Sequence, residues 1–458
     1  MTEGPLFKKI VLYSIPIIFT GVLQLLFNAA DLIVVGRFSD IGALAVAAVG
    51  STGALINLIV NMFIGLSVGA GVKTAQAIGA EDPDAVHRTI HTSIPAAFIA
   101  GILLTVIGIF GAEYFLTLMG TTENLLPLAT KYMKIYFCGM TSTMIYNFGA
   151  AILRAAGDTQ TPLRYLTIAG VINVALNLVF VILFKMDVDG VALATAISQT
   201  LSAVLVIRAL MRRTDVCQLN LKQLHIHGRT LLGIMRIGLP AGFQGCMFAL
   251  SNVILQSFVN SFNNDLLLAG HFASGNIDGF IYIAMNAFHQ SALNFTGQNY
   301  GAKKFDRIGK VVFISLASVI VLGTALGLLC YAFGEQLLSL YISDPVQANI
   351  DEAIKYGLLR MSYLTIFHAI CGMMDVMSGV IRGMGLAVPP MVISLIGVCG
   401  VRIGWAYTIF QIPQYHTIEN IYVSYLVSWA ITFVAQFILY LFALHSAKKK
   451  LRLSLSQQ

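Results

Sequence analysis

The chain has 458 residues, of which 57% are hydrophobic and only 11% charged, with a formal net charge of +7. Ordinary globular proteins are about 45–50% apolar and 25% charged, so a soluble fold of this size could not bury so much apolar surface. The composition therefore excludes a secreted, a nucleic-acid-binding or an ordinary cytosolic protein, and it predicts a chain embedded in a lipid bilayer.

Twelve apolar segments of membrane-spanning length follow one another along the chain. A helix needs about 20 mostly apolar residues to cross a bilayer. The sequence therefore predicts an all-α integral membrane fold with twelve transmembrane helices. Their expected ranges are 10–36, 42–72, 89–118, 125–152, 162–184, 190–211, 232–260, 266–296, 308–333, 353–380, 386–410 and 421–445.

The positions of the basic residues predict how the chain is oriented. Most of the 28 Lys and Arg residues fall on one side of the membrane, namely the side that holds both termini. By the positive-inside rule this side is cytoplasmic, so we expect a multi-pass protein of the inner (plasma) membrane. The six cysteines are scattered singly, which supports neither a disulfide framework nor a zinc site. We expect the protein to act as a monomer.

Short motifs recur in order along the chain and indicate an internal duplication. The stretch 76–80 (QAIGA) resembles 298–302 (QNYGA), which lies 222 residues further on. Further matches join Arg154 to Arg382, Pro162 to Pro390, and Pro16 to Pro240. We therefore predict two parallel, pseudo-symmetric six-helix halves, an arrangement typical of transporters that work by alternating access. The expected bounds are 1–211 and 232–447 for the halves, 212–231 for a cytoplasmic connector and 448–458 for a basic cytoplasmic tail.

Several of these motifs resemble those of the multidrug and toxic compound extrusion (MATE) family, and in particular its prokaryotic branch that includes DNA-damage-inducible proteins. The residues concerned are 14–16 (SIP), 28–37 (NAADLIVVGR), 153–162 (LRAAGDTQTP) and 297–302 (GQNYGA). The resemblance implies a cation-coupled antiporter, not an enzyme, that exports small organic compounds and needs no cofactor besides its coupling ion.

The resemblance also implies a cation site in the N-terminal half, formed by Asp31, Asn173, Asn177 and Thr195. Relatives often carry an aspartate at the position of Asn177. This chain therefore lacks one carboxylate, and the choice between Na⁺ and H⁺ stays open. With sodium coupling, the same four residues would be the metal ligands.

The residue types support this reading of Asp31 independently. A carboxylate inside a membrane helix costs about 2.5–3.5 kcal/mol on insertion scales, and for that reason such residues are usually functional. Asn173 and Asn177 are four residues apart, so their amides lie on one face of a helix. The alternative is a polar patch that only fixes helix packing through hydrogen bonds.

In the C-terminal half we predict a substrate site at Asp278, Asp375, His289 and Met285. Two intramembrane aspartates would attract cationic amphipathic solutes, a histidine could carry protons, and a methionine offers an adaptable apolar surface. The alternatives are that each aspartate belongs to an intramembrane ion pair, for Asp375 with Arg382 or Arg402, and that the histidine and methionine serve packing only.

Three other functions are weaker. A flippase of lipid-linked precursors would need a basic cavity for pyrophosphate, whereas these spans offer mainly acidic residues. A membrane-embedded enzyme lacks support because HExxH is absent from the sequence. A channel would conduct without saturable exchange. The sequence also lacks GxxxxGK[ST], so ATP is not expected to drive transport.

Overall fold

The structure is a computed structural model that describes residues 1–39, 41–342 and 346–456; the last two residues of the predicted basic tail, 457 and 458, lie outside these ranges. Within them the chain forms sixteen α-helices and no strand. In chain order these are α1 (Leu6–Phe38), α2 (Gly42–Gly79), α3 (Pro83–Leu118), α4 (Leu126–Cys138), α5 (Met140–Ala155), α6 (Gln160–Leu178), α7 (Val188–Arg212), α8 (Gly228–Asn260), α9 (Asp265–Gly301), α10 (Phe305–Ala332), α11 (Gly334–Ser339), α12 (Gln347–Tyr363), α13 (His368–Gly383), α14 (Val388–Ser394), α15 (Val401–Tyr407) and α16 (Ile418–Ser456).

The predicted all-α membrane fold with twelve spans is confirmed. Among the described residues, nine helical segments are long and apolar enough to cross a bilayer, or ten if α12 and α13 form one bent span. The two other predicted spans correspond to α9 and to the pair α4 and α5. Short π-helical turns, Val179–Leu183 and Leu395–Gly400, extend α6 and join α14 to α15.

The fourth predicted span, 125–152, is not one continuous helix. It breaks at Gly139, between α4 and α5. A Cβ atom at Gly139 would lie only 2.9 Å from the Cα atom of Ala196 in α7. The break therefore lies where two backbones touch, a tertiary contact that hydropathy does not report.

The tenth predicted span, 353–380, is also broken. Helices α12 and α13 meet at an angle of 46° across the residues between Tyr363 and His368. Thr365 lies in this break, and its hydroxyl donates to the carboxylate of Asp278 at 2.5 Å. The interruption thus places a hydrogen-bond donor beside a buried acid, a common use of broken membrane helices.

The repeated motifs adopt the same local structure in both halves of the sequence. At the end of α2 the Ala80 amide donates to the Gln76 carbonyl (2.9 Å), and at the end of α9 the Ala302 amide donates to the Gln298 carbonyl (3.0 Å). After α5 and α13, glycines 157 and 385 have φ values of 95° and 90°. Matching caps support the predicted duplication.

Contacts divide the chain into two compact units. The N-terminal unit comprises Ile15–Cys246, and the C-terminal unit comprises Met1–Ser14 together with the chain from Met247 onward. Both boundaries fall inside a helix, α1 in the first case and α8 in the second. The halves and connector proposed from the duplication remain predictions.

The connector between α7 and α8 is held against the start of α3. The Nε2 atom of His91 accepts a hydrogen bond from the main-chain amide of Asn220 at 3.1 Å. The His225 amide donates to the His91 carbonyl at 3.3 Å, and the His227 amide donates to the Thr92 hydroxyl at 3.2 Å. His91 is completely buried. The connector is therefore a docked segment.

Replacing His91 by alanine should loosen this segment. The Asn220 amide would lose its acceptor, which costs about 1–3 kcal/mol when such a group is left unpaired. We expect a lysine-specific protease to cut after the exposed Lys222 several times faster in His91→Ala than in the wild type. Arg88→Ala, which changes an exposed residue of the same helix, is the control. Equal cleavage rates in all three proteins would show that His91 does not hold the connector.

Candidate functional site

The four residues predicted to bind a cation lie together in the N-terminal unit. Asn177 donates from Nδ2 to Asp31 Oδ1 at 2.5 Å and to Asn173 Oδ1 at 3.3 Å. The hydroxyl of Thr195 donates to Asp31 Oδ2 at 3.4 Å, and Asn173 Nδ2 donates to that hydroxyl at 3.3 Å. Residues from α1, α6 and α7 thus form one continuous hydrogen-bonded cluster around a single carboxylate.

A glycine lets α1 approach α6 closely enough to form this cluster. A Cβ atom at Gly170 would lie 1.8 Å from the ring of Phe27, so no larger residue fits there without movement. Phe27 lies one turn before Asp31, and Gly170 lies three residues before Asn173. The contact therefore fixes the level at which the carboxylate meets the amides.

The cluster opens into a cavity of about 240 Å³ within the N-terminal unit. Asp31, Asn173 and Thr195 line it, whereas Asn177 is completely buried. Among the described lining residues Asp31 is the only carboxylic acid. The other polar lining side chains are Gln24, Asn28, Asn57, Tyr136, Thr143, Tyr146, Asn147, Ser198, Gln199 and Ser202. A cation entering this cavity would meet one negative charge and many neutral oxygen atoms.

One acceptor in the cluster is unused. Asn177 Oδ1 is buried and has no hydrogen-bond partner among the described residues. Buried polar atoms are normally paired, and an exception calls for an explanation such as a missing ion or water. Amide and carboxylate oxygens are the ligands that hard cations take. The unpaired oxygen is therefore consistent with a cation site.

In the C-terminal unit, Asp278 is neutralised by an arginine. Its Oδ2 atom lies 2.6 Å from Nη1 of Arg360 on α12, and both side chains are about nine-tenths buried. The same Arg360 nitrogen donates to the Ser274 hydroxyl at 3.1 Å. With the Thr365 hydroxyl on its other oxygen, Asp278 is fully engaged by protein groups.

The other predicted substrate residues have different surroundings. His289 donates from Nδ1 to the main-chain carbonyl of Asp375 at 2.6 Å, which brings these two residues together. Met285 is completely buried, and its sulfur fills the space beside Gly323 and Gly372. Met285 therefore offers no surface to a solute in this structure. The assignment of these residues to a substrate site remains a prediction.

Two arginines stand out that the sequence-based site did not include. Arg360 pairs with Asp278, and Arg402 is 4% exposed and packs on aromatic rings. Both lie in predicted membrane spans. Because burying a cation in lipid is costly, their position alone marks them as candidate functional residues. Which acid, if any, each arginine contacts could not be decided from the sequence.

The comparison with known families gives a match over most of the chain. The model of the family described as MatE matches residues 16–179 and 240–408. The chain is also 26% identical over 441 residues to the "Probable multidrug resistance protein YoeA" of Bacillus subtilis (strain 168). That alignment covers 94% of this chain and 92% of the relative.

Solved structures of transporters share the fold. A MOP superfamily transporter from Pyrococcus furiosus Vc1 (DSM3638) superposes with a TM-score of 0.90 at 19% identity, over 98% of both chains. An outward-facing multidrug resistance MATE family transporter of the MOP superfamily superposes with a TM-score of 0.88 at 20% identity, again over 98% of both chains. At these identities the likeness concerns the fold alone.

Proposed function

The chain belongs to the MatE family, and from this premise we propose that it is a cation-coupled antiporter that exports organic compounds from the cell. Membership makes it a multi-pass membrane transporter and not an enzyme. The observation that supports ion coupling best is the single carboxylate of Asp31, which faces a polar cavity among the oxygens of Asn173 and Thr195. Such intramembrane acids mark ion pathways.

Coupling requires that the ion and the solute prefer different conformations. A cation held by Asp31 would stabilise one packing of α1 against α6 and α7, and the solute would stabilise the other. Each ligand shifts the equilibrium only by its difference in affinity for the two states. The proposal therefore depends on the carboxylate of Asp31 and not on the cavity alone.

The orientation of the Asn177 amide would differ between a cation-bound site and an empty one. In this structure its nitrogen faces Asp31, while its oxygen is unpaired. A half-turn of the amide would exchange the two atoms and present oxygens from Asp31 and Asn177 to the same point. Sodium would favour the turned amide, because a cation is attracted by the oxygen and repelled by the N–H. A proton on Asp31 would instead find an oxygen acceptor there.

Replacing Asn177 by aspartate should move the coupling towards protons. The substituted carboxylate would lie within hydrogen-bond distance of Asp31, because Asn177 Nδ2 is 2.5 Å from Asp31 Oδ1. Two carboxylates this close do not both ionise, and one retains a proton. We expect solute flux in Asn177→Asp to respond more strongly to an imposed pH gradient than in the wild type. Each 1.4 kcal/mol by which the substitution strengthens proton binding at the cluster corresponds to about a tenfold change in proton affinity.

Asn28→Asp is the matched control, since it adds a carboxylate to the same cavity on α1, one turn before Asp31. If the two variants respond equally to the pH gradient, the added charge acts through the cavity in general. An unchanged response in Asn177→Asp would contradict the role given to this position.

The predicted preference for cationic amphipathic solutes rests on Asp278 and Asp375. Because Asp278 binds Arg360 in this structure, a cationic solute would have to displace the guanidinium. Exchange of one cation for another at a buried acid avoids leaving the acid unpaired, which is costly. The names of relatives such as YoeA support export of organic compounds and do not specify their charge.

The decisive experiment uses the purified full chain in proteoliposomes. Sodium and proton gradients are imposed separately, and uptake of organic cations, anions and neutral metabolites is measured. The proposal predicts saturable uptake driven by one of the two gradients. Uptake that neither gradient drives would contradict ion coupling, and a flux that does not saturate would indicate a channel.

A lipid-linked precursor flippase remains the alternative. It would need a basic cavity for the pyrophosphate group, and the cavity in the N-terminal unit has one acid and no basic residue among its described lining residues. In the same vesicles, movement of a fluorescent polyprenyl pyrophosphate without any response to organic cations would favour the flippase.

A further inference from the structure

A buried arginine in the C-terminal unit is held by aromatic rings. Arg402 on α15 donates from Nε to the Ser428 hydroxyl at 2.8 Å. Its guanidinium carbon lies 4.0 Å from the ring centroid of Tyr425 and 5.5 Å from that of Trp429. The side chain is therefore fixed in orientation while being removed from solvent and lipid, since Arg402 is only 4% exposed.

No acid among the described residues neutralises this arginine. Among the described residues Arg402 forms no ion pair, and neither of its terminal nitrogens has a hydrogen bond within the protein. The titratable groups that act on its charge are Tyr425, Cys371 and Cys399, none of which is a carboxylic acid. Arg360, in the same unit, contrasts with it because it binds Asp278 directly.

The surroundings of Arg402 suit a cation that binds an anion. Burying an unpaired charge remains costly even after the protein relaxes. A desolvated cation–π contact returns only part of that cost. The aromatic rings and one hydroxyl therefore do not offset the cost by themselves, and four guanidinium N–H groups remain available to an external acceptor.

The internal duplication places Arg402 at the counterpart of the cation site. Pro390 corresponds to Pro162, and the π-helical turn Leu395–Gly400 adds one residue, so Arg402 corresponds to Asn173. The helix that follows matches as well: Ser428 donates to the carbonyl of residue 425 at 2.7 Å, as Ser198 donates to the carbonyl of residue 195 at 2.9 Å.

The same correspondence reverses the charge of the site. Tyr425 occupies the position equivalent to Thr195. Counting from the matched prolines 16 and 240, the position of Asp31 is taken by Leu255, which is 1% exposed. The C-terminal copy has therefore lost the acid and gained a base at neighbouring positions. A site with this polarity would attract anions.

We propose that Arg402 forms an anion-binding site of this protein, together with its neighbours Tyr425, Ser428 and Trp429. The ligand is a small anionic group, either a free inorganic anion or the carboxylate or phosphate of an organic solute. His368 adds a second hydrogen-bonding group to the cluster: it is buried, its ring lies 5.7 Å from that of Trp429, and neither ring nitrogen has a hydrogen-bond partner among the described residues. The proposal does not depend on which cation drives transport.

Fluorescence of Trp429 reports on the site directly. The chain has two tryptophans, so Trp405→Phe leaves Trp429 as the sole emitter. Bromide quenches tryptophan only on contact. We expect saturable quenching by sodium bromide in this background and about tenfold weaker quenching after Arg402→Gln, because charge-assisted hydrogen bonds to the anion are lost. Arg402→Lys should retain part of the effect, and Lys355→Gln, at an exposed position in the same unit, should retain all of it.

Competition identifies the source of the anion. Chloride displacing bromide supports a free inorganic anion, whereas benzoate or phenyl phosphate displacing it without chloride competition supports an acidic group on the solute. Thermal stability is the second readout: anions should stabilise the wild type and leave Arg402→Gln unchanged. Quenching that rises linearly with bromide, or that survives Arg402→Gln at full strength, would overturn the proposal.

Discussion

Asp31→Asn should abolish gradient-driven solute flux while leaving the protein folded in the membrane. The variant keeps the size of the side chain and its place beside Asn177 and Thr195, but it removes the charge at the centre of the cluster. Neither a proton nor a sodium ion would then be held with comparable affinity. A loss of only about 1.4 kcal/mol in cation binding lowers the affinity tenfold. We therefore expect coupled flux to fall at least about tenfold.

The matched control for this variant is Glu113→Gln. Glu113 is an exposed acid of the same unit, on α3, and lies outside the cavity. It should transport like the wild type in the same vesicles. Coupled flux that survives in Asp31→Asn would show that the N-terminal site does not couple the ion. This conclusion would not depend on the C-terminal site.

Removing Arg360 alone should destabilise the protein more than removing the whole ion pair. Arg360→Met leaves the carboxylate of Asp278 buried without its cation, which costs about 3–5 kcal/mol. In the double variant Asp278→Asn/Arg360→Met no charge is stranded, so much of that loss should be recovered. Apparent melting temperatures in detergent, measured for both single variants and the double variant, provide the comparison.

The control is the more exposed pair formed by Lys131 and Asp189 at 2.9 Å, in which the Lys131 side chain is 57% exposed. Lys131→Met should cost no more than about 1 kcal/mol, because surface ion pairs contribute little. Cationic solutes should also stabilise Arg360→Met more than the wild type, since they would replace the missing guanidinium beside Asp278. A double variant as unstable as Arg360→Met would contradict the ion-pair argument, and absent solute stabilisation would contradict the substrate role of Asp278.

The candidate sites of the two units differ in charge. In the cavity of the N-terminal unit, Asp31 is the one acid among the described lining residues. In the C-terminal unit Asp278 is already paired with Arg360, and Arg402 forms no ion pair with any described residue. A basic group of a solute would suit Asp278, and an acidic group would suit Arg402. Testing zwitterions beside simple cations would therefore extend the proteoliposome panel.

The sequence by itself determined the fold class and the number of spans. In lipid the backbone must satisfy its hydrogen bonds within each segment, so long apolar runs have to be helices. The motif resemblance also supplied the four members of the Asp31 cluster, and their spacing showed that Asn173 and Asn177 share a helix face. The geometry brings these residues together as expected, and their role in ion binding remains to be measured.

Only the tertiary structure decided which charges meet. Asp278 and Arg360 are 82 residues apart in the chain, and their contact depends on the rotation and break of α12 and α13. The interruption at Gly139 likewise lies where Ala196 approaches it, and Arg402 meets aromatic rings on α16. Hydropathy measures how each helix partitions into lipid, whereas pairing depends on which faces of different helices pack together.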